Sequence, residues 1–449
     1  MASTLKTTLP LTFGIELEAI FAFHESRLQN HLDKHHPDTK IVKDTHCNTE
    51  PGSTEQSDGY TSWSLQEADK NPTTQGPIDE HCGEVSRLRQ YHEEPLELAR
   101  NVICQATGNE GMRVHYTADY TKQADYSAWS ISNDSSLNGL TKQALMEAFN
   151  DRIPTLEAAN DWDSSGVELI SPPYADIAHA RDEISTILSS LRGTSSSDYG
   201  ATVSTICGMH VHIGLPNNEP FTITTLQHLA YLLVVYEEEI SQLHEPQRHQ
   251  AAEEIITNRE NFLHDGCAEP VERIIINPET GKRERKQFVP IFKPLEEIRA
   301  SLFETVDAAP QPLERLLGFM GRHRAHIVNF SGLVREGRPN TVEFRQHAGT
   351  LDPQDVFWWV KFCTGLVQLA HRYTMTGEEC PVSDWEDKID IEDLFEAIQF
   401  PEEGKEYFRK RMETYTPNAP KRIGYWEEWV DWDAEYELSR CDSPIGNSW

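Results

Sequence analysis

"TVEFRQHAGTLD", residues 341–352, is the stretch on which the reading of the fold turns. Along an extended chain, side chains two residues apart share a face. Val342 and Phe344 therefore oppose Glu343, Arg345 and His347, an apolar face against one bearing a carboxylate, a guanidinium and an imidazole. An ordinary half-buried strand turns inert polar groups to water. A functional strand is the better reading only if other segments carry matching chemistry.

Four segments do. In "LTFGIELEA" (11–19), Phe13, Ile15 and Leu17 alternate with Gly14, Glu16 and Glu18. The two carboxylates then stand about 7 Å apart on one strand face, beside a glycine that lets a ligand come close. In "GMHVHIGL" (208–215), His210 and His212 share a face opposite Met209, Val211 and Ile213. "SNDSSL" (132–137) offers Asp134 at a strand end, and "GVELISP" (166–172) offers Glu168 between Val167 and Leu169. Each alone fits a surface carboxylate or a satisfied core histidine. Together Glu16, Glu18, Asp134, Glu168, His210 and Glu343 form an oxygen-rich set whose like charges repel unless cations neutralise them. Hard oxygen donors with an occasional imidazole favour Mg2+ or Mn2+ over zinc. Arg345, with Arg322 or Arg324 from "GRHRAHIVNF" (321–330), supplies fixed positive charge for a phosphoryl group.

The composition fits that chemistry. Forty basic against 73 acidic residues leave a formal charge of −33. Such a surface argues against nucleic acid and anionic membranes as partners, while phosphates remain accessible through divalent cations. The N-terminus has no apolar core of a signal peptide, and no run approaches the roughly 18 apolar residues of a membrane span. The eight cysteines are scattered without CxxC pairs, so a cytoplasmic protein with reduced thiols is expected. Cys207, beside the HxH, reads as a buried structural thiol. No P-loop, dinucleotide fingerprint or GxSxG elbow occurs.

Residues 24–84 are rich in Asp, Glu, His, Ser, Thr, Gly and Pro and read as a polar loop or disordered insertion. His31, His35, His36, His46, Cys47, His81 and Cys82 lie in or beside it, with spacings that fit no zinc-finger pattern. A helix is expected over 89–107, Pro95 marking its start, and others over 176–193, 224–244 and 353–373. Trp358 and Trp359 read as packing residues. Residues 245–300 are a charged excursion and a lid candidate, and 376–449 an acidic, aromatic C-terminal subdomain. Strands separated by helices of unequal length suggest α+β rather than regular βαβ winding.

"FGIELE", "NDSSL", "GVELISPPY", "CGMHVHIG" and "TVEFRQHAGTLD", in this order, resemble the amidoligase family of carboxylate–amine ligases, similar to glutamine synthetase and glutamate–cysteine ligase. The resemblance spans residues 11–375, interrupted at 24–84 and 245–300. It implies a curved, mainly antiparallel sheet forming a funnel-shaped active site, with helices on its outer face. ATP and two or more Mg2+ (or Mn2+) ions are the implied cofactors. Glu18, Asp134 and Glu168 would hold the metal nearer the substrate, and Glu16, His210 and Glu343 the one at the ATP phosphates. His212 would contact a phosphate, and Arg345 with Arg324 would stabilise the transferred phosphoryl group. A small-molecule or peptide carboxylate and an amine are the implied substrates, joined through an acyl phosphate, and a homo-oligomer is a further expectation. "RQHAGTLD" departs from the glutamine synthetase pattern, so glutamate plus ammonia does not follow. Two rivals stand beside the ligase. A metal-dependent amide hydrolase predicts zinc and turnover without ATP, and a non-catalytic relative predicts nucleotide binding alone.

Overall fold

The computed structural model describes residues 8–45, 61–67, 80–115, 126–134, 136–137, 139–248, 256–263, 271–276, 283–288, 292–334, 339–385, 387 and 389–415, with the side chains of 42–45, 61–67, 80–92, 271–276 and 283–288 left aside. The chain forms two compact units: residues 11–216 with 347–361, and the remainder.

The first unit is α+β. Its strands are β1 (Thr12–His24), β2 (Thr39–Thr45), β3 (Thr61–Glu67), β4 (Arg113–His115), β5 (Ser130–Ser132), β6 (Trp162–Ile170), β7 (Tyr199–Thr202) and β8 (Gly208–Gly214). Its helices are α1 (Glu25–His35), α2 (Glu80–Thr107), α3 (Lys142–Ala148), α4 (Leu156–Ala159) and α5 (Ile177–Arg192). The sheet runs β8-β1-β6-β5-β4, with β7 also on β1, and does not close on itself. All its pairings are antiparallel except β4 with β5. The expected α+β class with a mainly antiparallel sheet is therefore met.

β1 organises this sheet. One edge pairs with β6 over Glu16–His24, the other with β8 over Thr12–Leu17 and then β7 over Ile20–Phe23. Phe13, Ile15, Leu17, Phe21 and Phe23 are buried, as the alternation predicts. The opposite face changes character along its length. Past Glu16 and Glu18 it turns apolar: Ile20 packs with Leu137 and Cys207, and Ala22 with Leu145, Phe149 and Trp162. α3 and α4 thus cover its far end, with Thr141 and Thr155 capping their first turns. Cys207 is fully buried, as the sequence suggested.

Three elements differ from the sequence reading. α2 continues through Pro95 rather than starting there. The helix expected over 224–244 breaks at Tyr236 (φ −97°, ψ 12°) into two pieces. The described part of 24–84 forms α1 and a β2–β3 ladder; His46 and Cys47 lie outside the described residues.

The second unit holds α6 (Ile223–Val235), α7 (Glu237–Ser241), β9 (Val271–Ile276), β10 (Arg283–Phe288), α8 (Leu295–Ala300), α9 (Pro312–Met320), β11 (Val328–Asn329), β12 (Thr341–Ala348), α10 (Pro353–Thr376), α11 (Ile391–Ala397) and α12 (Glu402–Tyr415). β12 crosses the boundary after Gln346, and α10 enters this unit at Phe362. α6 is buried almost all round, which its apolar composition demands. Phe362, Phe395, Phe400 and Phe408 pack edge-to-face and stacked to join α10, α11 and α12. Trp358 and Trp359 are buried in the first unit, the latter wholly, as packing residues should be. The acidic segment 416–449 lies outside the described residues.

Candidate metal centre

Register brings the carboxylates of the first unit together. Glu18 stands opposite Glu168, and Glu168 opposite Ser132; on the other edge Glu16 stands opposite His210 and Gly14 opposite His212. Asp134 follows β5 in a turn that closes through the Leu137 N–H to the Asp134 carbonyl (3.2 Å). Gly166 lets that turn lie on β6, because a Cβ there would come within 2.3 Å of the Leu137 Cβ. Gly14 is different. A Cβ there would meet the Ser171 hydroxyl at an ordinary 3.8 Å, so protein packing does not require glycine at that position.

Two donor groups result, each with its ligand atoms within 4.8 Å of one another: Glu16, Glu168 and His210, and Glu18, Asp134 and Glu168. Glu168 belongs to both. His210 is almost wholly buried, with Nδ1 3.2 Å from Glu16 Oε2 and Nε2 3.6 Å from Glu18 Oε1. His212 Nε2 lies 3.2 Å from Glu16 Oε1. The Gly208 N–H donates to Glu18 Oε2 (2.6 Å) and the Ser132 hydroxyl to Glu168 Oε2 (3.1 Å). The Ser136 N–H and hydroxyl both donate to Asp134 Oδ1 at 2.7 Å. Ser132 and the Gly208 amide escaped the sequence reading, since neither carries a charge to mark it.

The electrostatics show what the cluster needs. Burial, then the charges of Glu16, Asp134 and Glu18, push the Glu168 carboxyl up to about 8, with only the Ser132 hydroxyl opposing them. That disfavours its ionisation by roughly 5 kcal/mol. Burial also works against ionised Glu16, but His212 and His210 together outweigh it and hold its carboxyl well below the ordinary carboxylate range. Four carboxylates with two imidazoles thus fit one or two hard divalent cations, and Glu168 is placed to bridge them.

Glu343 and Arg345 lie on β12 in the second unit. Glu343, opposite Asn329 on β11, accepts from Asn329 Nδ2 (2.7 Å) and pairs through its other oxygen with Arg345. Asn329 is oriented in turn by the Ser331 N–H (2.8 Å). Arg248 donates to the carbonyls of Arg345 (2.8 Å) and Gln346 (3.4 Å), and the Gln346 amide donates to the Ser241 hydroxyl (2.7 Å). Arg322 is 63% exposed and paired with Glu314 (2.9 Å), and Arg324 is exposed; neither is engaged with Glu343. His347, in the first unit, is buried, with Nδ1 2.7 Å from the Ala348 carbonyl and its ring tilted against Trp359 at 5.8 Å.

Residues 93–367, more than half of the chain, match the family model described as "Putative amidoligase enzyme". No curated protein matches the chain. Glu16 and Glu18 precede the matched span, and strand pairing joins them to Glu168 and His210 within it.

Proposed function

The chain belongs to the amidoligase family, and from that premise we propose that it is an ATP-dependent ligase joining a carboxylate to an amine through an acyl phosphate. The observation that carries this reading is the shared donor face of β1, β5, β6 and β8, where Glu16, Glu18, Asp134, Glu168 and His210 converge with Glu168 common to both groups. Glu18, Asp134 and Glu168 would hold one Mg2+, and Glu16, Glu168 and His210 a second; Glu343 joins the nucleotide-side ligands on the family resemblance. When bound, the cations supply charge neutralisation between triphosphate and substrate carboxylate.

In the first step a substrate carboxylate oxygen attacks the γ-phosphorus of ATP, the bond to the β-phosphate oxygen breaks, and ADP leaves. An amine nitrogen then attacks the acyl carbon, phosphate departs with its bonding electrons, and the nitrogen gives up a proton. Arg345 contributes a planar guanidinium to the moving phosphoryl group, Arg324 being the second candidate. The Glu343 pairing and the Arg248 bonds to the carbonyls behind Arg345 hold that residue in place. The protein's work is positioning and charge compensation. His212, paired with Glu16, acts as a second-layer support of the metal ligand and as a candidate phosphate contact.

The substrates need not be known to test this. The full chain is incubated with ATP, Mg2+, hydroxylamine and a panel of carboxylates. Hydroxamate formed in step with ADP supports the acyl phosphate. Amide hydrolysis by zinc-loaded protein without ATP would overturn the ligase reading in favour of the hydrolase.

A further inference from the structure

None of the residues of the carboxylate centre lines the polar cavity of about 570 Å3 between α1 and α2. Its wall includes His31, His35, His36, Glu94, Glu97 and Arg100. His31 and His35 are four residues apart on α1, a spacing that puts both imidazoles on one helix face. Their ring centroids are 4.7 Å apart. His36 caps the C-terminus of the same helix. Glu94 enters from α2, buried to 8% exposure, with Oε2 2.6 Å from His31 Nε2 and Oε1 3.3 Å from His36 Nε2.

The close contact is an ion pair. Beyond it, Glu94 Oε2 accepts no hydrogen bond. Arg100 does not relieve this oxygen. Its Nε donates to the Met112 carbonyl (2.7 Å), its Nη1 to Glu97 (3.5 Å) and its Nη2 to the Glu110 carbonyl (3.4 Å). Imidazoles, not guanidinium or ammonium groups, are what this buried carboxylate meets, and imidazole nitrogens are metal ligands.

We propose that this corner binds one transition-metal ion of the zinc class, held by His31, Glu94 and the imidazole of His35 or His36. Imidazole nitrogens with a single carboxylate suit a borderline ion, whereas the carboxylate centre suits a hard one. Without the ion the donors do not surround a single point. Entry of the ion parts His31 from Glu94, and an exposed ring, His36 at 50% side-chain exposure or His35, turns in to complete the set. The bound ion clamps α1 to α2. Because α1 continues directly from β1, the clamp fixes the far end of the strand that carries Glu16 and Glu18.

The test uses the full chain in excess Mg2+, which occupies the hard-cation centre, with Zn2+ titrated by calorimetry. One Zn2+ per chain is expected, weakened about tenfold or more by His31→Ala with His35→Ala and unaltered by Glu168→Gln. In the native chain, Zn2+ is expected to protect His31 and either His35 or His36 from diethyl pyrocarbonate, read by peptide mass. That second readout decides the matter if the double variant does not fold. Zn2+ binding that follows Glu168 rather than His31, or no protection of His31, would overturn the site.

Discussion

Two glutamates, half-buried Glu168 in the first unit and buried Glu237 in the second, face opposite surroundings. Burial pushes both carboxyls up. At Glu237 the neighbours answer it: the Arg259 charge, the Thr257 hydroxyl and the Asn258 N–H (3.0 Å to Oε2) all favour the ionised form, and Glu238 alone among the named neighbours opposes them. At Glu168 three carboxylates add to the burial and a single hydroxyl resists it. Evolution of a purely structural carboxylate supplies its partners within the chain, as at Glu237. A carboxylate surrounded by its own kind stays ionised only with a cation from outside and otherwise takes up a proton. On the proposed reading the contrast separates scaffold from site.

The largest expected effect tests the site half of that contrast. Glu168→Gln should lower Mg2+-dependent ATP turnover by on the order of 10³-fold, while the metal-free protein at neutral pH melts no lower than wild type, since the amide replaces a carboxyl that already holds a proton below about 8. Turnover kinetics and thermal melting check the two parts. If the variant keeps its activity, Glu168 is not a shared ligand.

The scaffold half should respond the opposite way. Asn258 donates to the Met320 and Val328 carbonyls (2.8 and 2.9 Å) and accepts from the Val328 N–H (2.9 Å), so it ties the Glu237 network to β11. Asn258→Ala leaves these buried groups unpaired and should destabilise the fold by about 3 kcal/mol. Denaturant unfolding measures it, and unchanged Mg2+ affinity in the surviving folded protein would keep the two roles apart.

Asn329→Ala should cost about 10–100-fold in kcat/KM, because the orientation of Glu343 is lost while the carboxylate remains. An effect confined to stability would demote Asn329 to packing.

The pH dependence has a definite sign. Folded Glu168 titrates near 8, above the ordinary value of 4.5, so between these pH values the metal-free fold holds a proton that the unfolded chain has lost. Its contribution to stability is therefore full below 4.5 and is lost as pH rises through 8. Glu16, held low, contributes above the ordinary range and loses that contribution as pH falls through its depressed value. Mg2+ must displace the Glu168 proton, so affinity should rise about tenfold per pH unit below 8 and level off above it. A flat calorimetric profile from pH 6 to 9 would contradict the shared-ligand role.

The smallest effect belongs to Arg322→Ala. Its exposed pair with Glu314 should be worth less than about 1 kcal/mol by denaturant unfolding. A collapse of turnover in that variant would instead make Arg322 a phosphoryl clamp.

Much of the site was legible because strand alternation is local. "FGIELE" and "GMHVHIG" place Glu16, Glu18, His210 and His212 on one face without knowledge of pairing, and the registers Glu16 with His210 and Glu18 with Glu168 agree. What stayed hidden depends on distant partners. Arg248 meets the Arg345 carbonyl across 97 residues of chain, Asn258 meets Val328 across 70, and Glu94 meets His31 across more than 60. No local pattern announces such pairs. Pro95 misled for a related reason: the loss of one helical hydrogen bond favours a helix start, but α2 has buried Leu96, Leu98, Ala99, Val102 and Ile103 to hold it to its course.

The central claim is that the carboxylate face exists to hold cations for ATP, and calorimetry of ATP binding tests it most directly. With the wild-type chain, ATP should bind in Mg2+ and not in EDTA, and Glu168→Gln should abolish the Mg2+-dependent part while remaining folded. ATP binding that ignores Mg2+, or no ATP binding by folded protein that retains zinc, would contradict the account.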